Sequence, residues 1–335
     1  MWEERQVQVR STGCKALLSL AIAVVTAASP TGSDAQTYPS KPIQLLVGWS
    51  PGGGVDVTSR ILAEKLSRVL GQRIIVDNRP GAAGNIAGAL VAKAAPDGYT
   101  ILIGTNGELA VNASLFKNLG YHPIDDLSHI AMAVRVPIIM VAHPSVPAND
   151  VRSLVEYSKQ QPNGVALGSP GNGSIGHLIG ELLRGSAGAK ILHVPYKGAA
   201  PAITDLVGGQ VQIVFSSMPA VLPHLRAGRL KALAVTTEQR VDAVRDLPTV
   251  AEAGFPGITG FNWYAVVGPA GMPQAVVAKL NGAFNQVLGD PEIKAKLADQ
   301  GLEPWTMSPA EVRSYMQTEV ARWGKVVATS NVKID

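Results

Sequence analysis

The stretch Ser50-Pro51-Gly52-Gly53-Gly54-Val55-Asp56 decides how the chain is read. An apolar run, Ile43 to Val47, precedes it and reads as a buried strand. Val57 to Leu70 follows and reads as a helix, with Ile61, Leu62, Leu66, Val69 and Leu70 on one face at helical spacing. Gly71 stands where a helix C-terminus wants a left-handed residue. Three glycines between strand and helix keep side chains away and let backbone N–H groups converge. The helix start adds unpaired donors and a partial positive charge, so the loop can hold a small anion.

The same construction returns 119 residues on, counted from Gly52 to Gly171. Val165 to Gly168 reads as a strand, Ser169-Pro170-Gly171-Asn172-Gly173-Ser174 as the loop, and Ile175 onward as a helix. Two such loops suggest two lobes facing one ligand.

Between and beyond them, strands alternate with helices. Strands are expected at Arg73–Val76, Thr100–Gly104, Val134–Ala142, Ile191–Val194, Val211–Phe215, Leu230–Thr236 and from Phe261 to Val267. Helices are expected at Ile86–Ala95, Val151–Gln160, Ala199–Val207, Pro273–Leu288, Pro291–Gln300 and Pro309–Ala328, the last three opening on proline. The alternation argues for an α/β chain with parallel sheets covered on both faces. Ligands on such sheets sit at the carboxyl ends of strands, where Thr105 and the glycine loops lie. Pro144 and Pro147 mark a stiff crossing into a second unit, and the turn-rich Pro248–Pro256 a return.

The first 35 residues read as an export signal. Arg5, Arg10 and Lys15 precede an uncharged run from Ala16 to Ala28, and Ser33-Asp34-Ala35 sets cleavage between Ala35 and Gln36. The run is shorter than the roughly 18 residues a membrane anchor needs. The only cysteine, Cys14, precedes it, so the mature chain has no disulfide and no thiolate site. The 300 remaining residues suffice for two ordinary domains. They keep the net charge of +4, scattered without a basic, aromatic-interleaved run, which argues against nucleic acid as a partner.

Other chemistry is weighed residue by residue. Gly171-Asn172-Gly173-Ser174-Ile175-Gly176 matches the dinucleotide spacing, but no acid stands at the end of the next strand, which runs into Lys197. His177 and Glu181 are four apart, a spacing that can ligate metal, yet no H-E-x-x-H pattern supports it. No metal or other cofactor is expected. Ser174 with His177 offers a hydrolase reading, without an orienting acid and without a nucleophile elbow. Asp56 reads either as a helix N-cap or as a group that orients the loop, a bridging water or a ligand amino group.

The segments YPSKPIQLLVGWSPGGGVD, NRPGAAGNIAGALVAKAAPDGYTILIGT, GSPGNGSIGHLIGELL, VPYKGAAPAITDLVGGQVQIVFSS and LPTVAEAGFPG…GPAGMP resemble the solute-binding receptors of tripartite tricarboxylate transporters, in the expected order from Tyr38 to Lys325. The resemblance implies a two-lobed, periplasmic-binding-protein-like α/β fold, each lobe a mostly parallel sheet flanked by helices, joined by two crossing strands. It implies residues 38–140 plus 255–335 as one lobe and 141–254 as the other. It implies a periplasmic monomer, not an enzyme, that closes on a small carboxylate and docks to membrane transporter subunits. The ligand-binding set so expected is Ser50, Gly52, Gly53, Asp56, Thr105, Ser169, Gly171, Asn172, Gly173, Ser174, His177, Tyr196, Ser216 and Trp263. Of these, Tyr196, Ser216 with Ser217, and Trp263 are placed near the pocket wall by the resemblance alone.

Overall fold

The structure is a computed structural model that describes residues 1–3 and 38–330. The expected export segment, its cleavage site and Cys14 lie outside the described residues. The chain divides into Met1–Ser40 and Lys41–Asp335, and every element named below belongs to the second unit.

In chain order the elements are β1 (Ile43–Val47), α1 (Gly54–Leu70), β2 (Ile74–Asn78), α2 (Asn85–Ala92), β3 (Thr100–Thr105) and α3 (Asn112–Leu115). A π-helical turn, Gly107–Val111, leads into α3. There follow β4 (Leu127–Ala142), α4 (Val151–Gln160), β5 (Val165–Ser169), α5 (Ile175–Ala187), β6 (Ile191–Pro195), α6 (Ala199–Val207), β7 (Ile213–Ser217), α7 (Met218–Arg226) and β8 (Lys231–Val235). The chain ends with β9 (Phe261–Pro269), α8 (Gln274–Gly289), α9 (Pro291–Asp299), β10 (Glu303–Pro304) and α10 (Pro309–Ser330).

Two similar halves are built on one shared strand. In the first, β2, β1 and β3 run parallel and β9 pairs antiparallel with β3. In the second, β6, β5 and β7 run parallel and the end of β4 pairs antiparallel with β7. β4 bonds β9 from Leu127 to Pro137, then β7 and β8 from Ile138 to Ala142. The first sheet therefore hands over to the second between Pro137 and Ile138, inside a strand, earlier than the crossing expected at Pro144 and Pro147. The chain returns beside it, where Gly260 N–H donates to the Thr236 carbonyl and Thr236 N–H to that of Ile138. Sequence placed these exchanges at 140 and 255.

Adjacent strand residues serve opposite faces. In β7, Ile213 and Phe215 join Ile179 and Leu183 of α5, whereas Val214 joins Ile203 of α6 and Val221 of α7. In the first half, Leu46 and Leu102 share a cluster with Ala87 and Val91 of α2 and Trp323 of α10, while α1 packs with α8 and α9.

Local chemistry explains several boundaries. α1 begins at Gly54, three residues before its expected start, and stops at Gly71 with φ 70°. α4 opens on a capping box between Asp150 and Ser153, and α9 on the Asp290 carboxylate with Pro291 behind it. α7 was not expected, because Pro219 and Pro223 both lie within its nine residues. The first part of β4 was missed too. It is buried on both faces, and two register shifts, at His129/Ala131 and Met132/Val134, interrupt the period of two.

Candidate functional site

Six strand ends meet at one cleft, three from each half. From the first come the loops after β1, β2 and β3; from the second, those after β5, β6 and β7. The halves already touch there. Ser50 Oγ donates to the Lys197 carbonyl, and Arg226 pairs with Asp299 at 3.0 Å. This is a closed arrangement.

The first glycine loop spends its own N–H groups on itself. Gly52 N–H donates to Asp56 at 2.9 Å and Gly53 N–H to the Ser50 carbonyl at 3.3 Å. Gly52 takes φ 79°, which glycine alone adopts easily. Asp56 lies in the first turn of α1 and is not its N-cap, a place Gly53 fills with no side-chain bond. Burial alone would raise the Asp56 pKa. The hydrogen bond from Arg60, then that from Gly52, more than offset this and hold it below the usual carboxylate value. Asp56 therefore stays charged and orients the loop.

The second loop is held the same way by different groups. Gly171 N–H donates to Ser169 Oγ at 3.2 Å, Gly173 N–H to His177 Nδ1 at 3.1 Å and Ser174 N–H to the Gly171 carbonyl at 3.1 Å. Ser174 is the N-cap of α5: its hydroxyl donates to the Gly171 carbonyl at 2.7 Å and accepts from His177 N–H at 3.3 Å. His177 stacks on His193 with ring centroids 4.0 Å apart, and His193 Nε2 meets Ser169 Oγ at 2.6 Å. Burial lowers the pKa of His177, and burial and then the neighbouring His177 lower that of His193 to about 4.

This corrects the hydrolase reading. His177 Nδ1 accepts the Gly173 N–H, and the Ser174 hydroxyl serves as a cap bonded to backbone groups and not to the His177 ring. The His177–Glu181 pair, four apart, is otherwise engaged. Glu181 pairs with Arg184 at 3.0 Å, and the described residues contain no cluster of three or more His, Cys, Asp or Glu side chains able to hold an ion.

The free donors lie one step further along each helix. The N–H groups of Gly54 and Val55 in α1, and of Ile175 and Gly176 in α5, have no acceptor among the described residues. All four residues line one inner chamber, with Thr105, Asn106, Ser174, Ser216, Asn262 and Tyr264. No Lys or Arg lines it. Trp49 and Pro170 line both this chamber and an outer one, lined also by Gly81–Gly84, Gly171, Asn172, Tyr196 and Lys197.

The expected site residues thus divide three ways. Gly53, Thr105, Ser174 and Ser216 line the inner chamber, and Gly171, Asn172 and Tyr196 the outer one. Ser50, Gly52, Asp56, Ser169, Gly173 and His177 shape the loops behind them. Trp263 lines neither chamber: it is fully buried, its Nε1 donates to Glu319 at 2.9 Å, and its ring meets Tyr315 edge-on at 5.7 Å.

Sequence reasoning missed Trp49, Asn106, Glu108, Asn262 and Tyr264. Glu108 is fully buried behind the wall. It accepts from Trp49 Nε1 at 3.1 Å, from Thr105 N–H at 3.0 Å and from Thr105 Oγ1 at 2.5 Å. Burial pushes its pKa up to about 7 against those hydrogen bonds. The Thr105 hydroxyl, expected to meet a ligand, therefore donates to Glu108. The missed signal was parity: if Trp263 faces α10, Asn262 and Tyr264 must face the cleft.

Residues 58–332 match the family described as tripartite tricarboxylate transporter family receptor. The chain is 37% identical over 320 residues to Protein BugT of Bordetella pertussis, covering 95% of this chain and 98% of that one. An R. palustris protein solved with adipate superposes with a TM-score of 0.86 at 38% identity, over 88% of this chain and 99% of that one. MatC from Rhodopseudomonas palustris, solved with bound malate, does so with a TM-score of 0.82 at 30% identity, over 87% and 100%. With two sheets closing on a chamber edged by helix starts, the chain belongs to the tripartite tricarboxylate transporter receptor family, whose members are periplasmic solute-binding receptors and not enzymes.

Proposed function

We propose that this receptor captures a small carboxylate between its two lobes and presents it to the membrane subunits of a tripartite transporter. One observation carries the reading. Two helix starts from separate sheets aim N–H groups without protein acceptors into one chamber that no cationic side chain lines. Each helix start attracts negative charge through its donors and dipole. Only the closed form brings both sets to one anion, so binding favours closure. The adipate and malate held by the two R. palustris proteins are carboxylates, which supports the same class here.

Titration calorimetry of the purified protein against mono- and dicarboxylates tests this. At least one should bind with micromolar or tighter affinity, and its neutral amide should not. Tight binding of a cation or an uncharged sugar, with no response to any carboxylate, would refute the reading. Export is part of the proposal: N-terminal sequencing of the exported protein should begin at Gln36.

A further inference from the structure

Asn106 and Ser216 both line the inner chamber, one after β3 in the first half and the other in β7 of the second, and each is 1% exposed. Asn106 Nδ2, Asn106 Oδ1 and Ser216 Oγ have no hydrogen-bond partner among the described residues. Nearby hydroxyls are occupied: Thr105 donates to Glu108 and Ser174 to the Gly171 carbonyl. Buried polar atoms left without partners are uncommon in native proteins and call for an occupant.

The kind of occupant follows from the atoms. An amide presents a donor and an acceptor side by side, so its complement must accept and donate at one place. A carboxylate only accepts. It would satisfy Nδ2 and the Ser216 hydroxyl but set negative charge against Oδ1. An aliphatic group would leave all three atoms bare. A hydroxyl accepts from Nδ2 and donates to Oδ1 or Ser216. The carboxylate itself has the free N–H groups at Gly54, Val55, Ile175 and Gly176.

We propose that Asn106 and Ser216 read a hydroxyl group on the bound carboxylate, so that the ligand is a small hydroxycarboxylate. This rests on the carboxylate-receptor reading above. A site built to bond a hydroxyl discriminates strongly against the analogue without it, because its own polar groups are then left unpaired.

The test is calorimetry with pairs that differ by one hydroxyl: lactate and propionate, 3-hydroxybutyrate and butyrate, malate and succinate. In at least one pair the hydroxy acid should bind at least tenfold tighter. Asn106→Leu, and separately Ser216→Ala, should cut that ratio to under threefold. Thermal melts check that each variant is folded, and Ser216→Ala carries the test if Asn106→Leu is not. Equal affinity within every pair would mean that a trapped water fills the place of the hydroxyl, and would overturn the proposal. So would a ratio that survives both substitutions. Silence from all six acids while another carboxylate without a hydroxyl binds would overturn this proposal alone; silence from every carboxylate would bring down the carboxylate reading, and this proposal with it.

Discussion

Glu108 is a carboxyl enclosed by groups that can only donate or share a proton with it, and its folded pKa of about 7 lies above the ordinary 4.5. Between those values the folded state holds a proton that the unfolded state has lost. Its contribution is complete below pH 4.5 and is lost as pH rises through 7. The difference corresponds to on the order of 3 kcal/mol at most. Glu108→Gln copies the protonated form, so it should melt higher than the parent at pH 8 and close to it at pH 4.5, measured by calorimetric Tm. His193 has the opposite sign. Its pKa is depressed from 6.5 to about 4, so its share of stability is complete above 6.5 and falls away as pH drops toward 4. His177→Gln keeps an acceptor for Gly173 N–H and removes the neighbouring ring that could take up charge. Its Tm should fall less than the parent's between pH 7.5 and 4.5, with a residual slope from His129, whose pKa burial also lowers to about 4. At this scale the site was half legible. Loop glycines announce a helix start, but the sequence cannot say which N–H groups the loop uses internally. That depends on Asp56, Ser169 and His177 folding back. Glu108 gave only a short local signal, three residues after Thr105, because its other partner, Trp49, comes from a different strand end.

The helix starts of α1 and α5 look alike in sequence yet differ in what stands against them. A Cβ on Gly54 would overlap the Ser217 hydroxyl, which belongs to the other half, and come within 2.8 Å of the Tyr264 hydroxyl. A Cβ on Gly176 would overlap the Phe215 carbonyl, which belongs to its own half. Gly54→Ala should therefore prop the cleft apart and leave the fold standing. Affinity should fall at least tenfold, about 1.4 kcal/mol, with Tm nearly unchanged and a larger radius of gyration by small-angle scattering. Gly176→Ala should destabilise the second half itself by about 1–3 kcal/mol, read from urea unfolding. Gly53 is a weaker position for such a test than sequence suggests. Its φ is −74°, which any residue adopts, and its nearest neighbour to a Cβ is the Ser50 carbonyl at 3.3 Å. Elements with one clean period, such as β1, α4 and α5, could be read directly. α7 and the front of β4 could not, since prolines hid the one and bulges with two buried faces the other. Both hidden elements are needed to see that the second half repeats the first.

At the scale of the molecule, the closed arrangement is held by few direct bonds between halves. The Arg226–Asp299 pair is exposed on both sides and worth little. The Ser50–Lys197 hydrogen bond is exposed as well, and a typical hydrogen bond contributes about 0.5–1.5 kcal/mol. Ser50→Ala should thus weaken ligand binding by roughly two- to twelvefold. The change should appear mainly in the off-rate, followed by stopped-flow fluorescence of Trp49, which lines both chambers. Opening must leave β4 intact, because its sixteen residues carry pairing for both sheets and the hand-over at Pro137–Ile138 lies within it. A shared strand also binds the fates of the halves. If the second half melted, β4 would lose β7 and β8; its remaining part would fray against β9, whose start meets β4 at Phe261 and Pro137. Neither half can be cut out as a self-sufficient fragment without stripping a central strand from the other. Despite its bilobed shape, the protein should lose its structure in one step: a single heat-absorption peak whose calorimetric enthalpy equals its van't Hoff enthalpy.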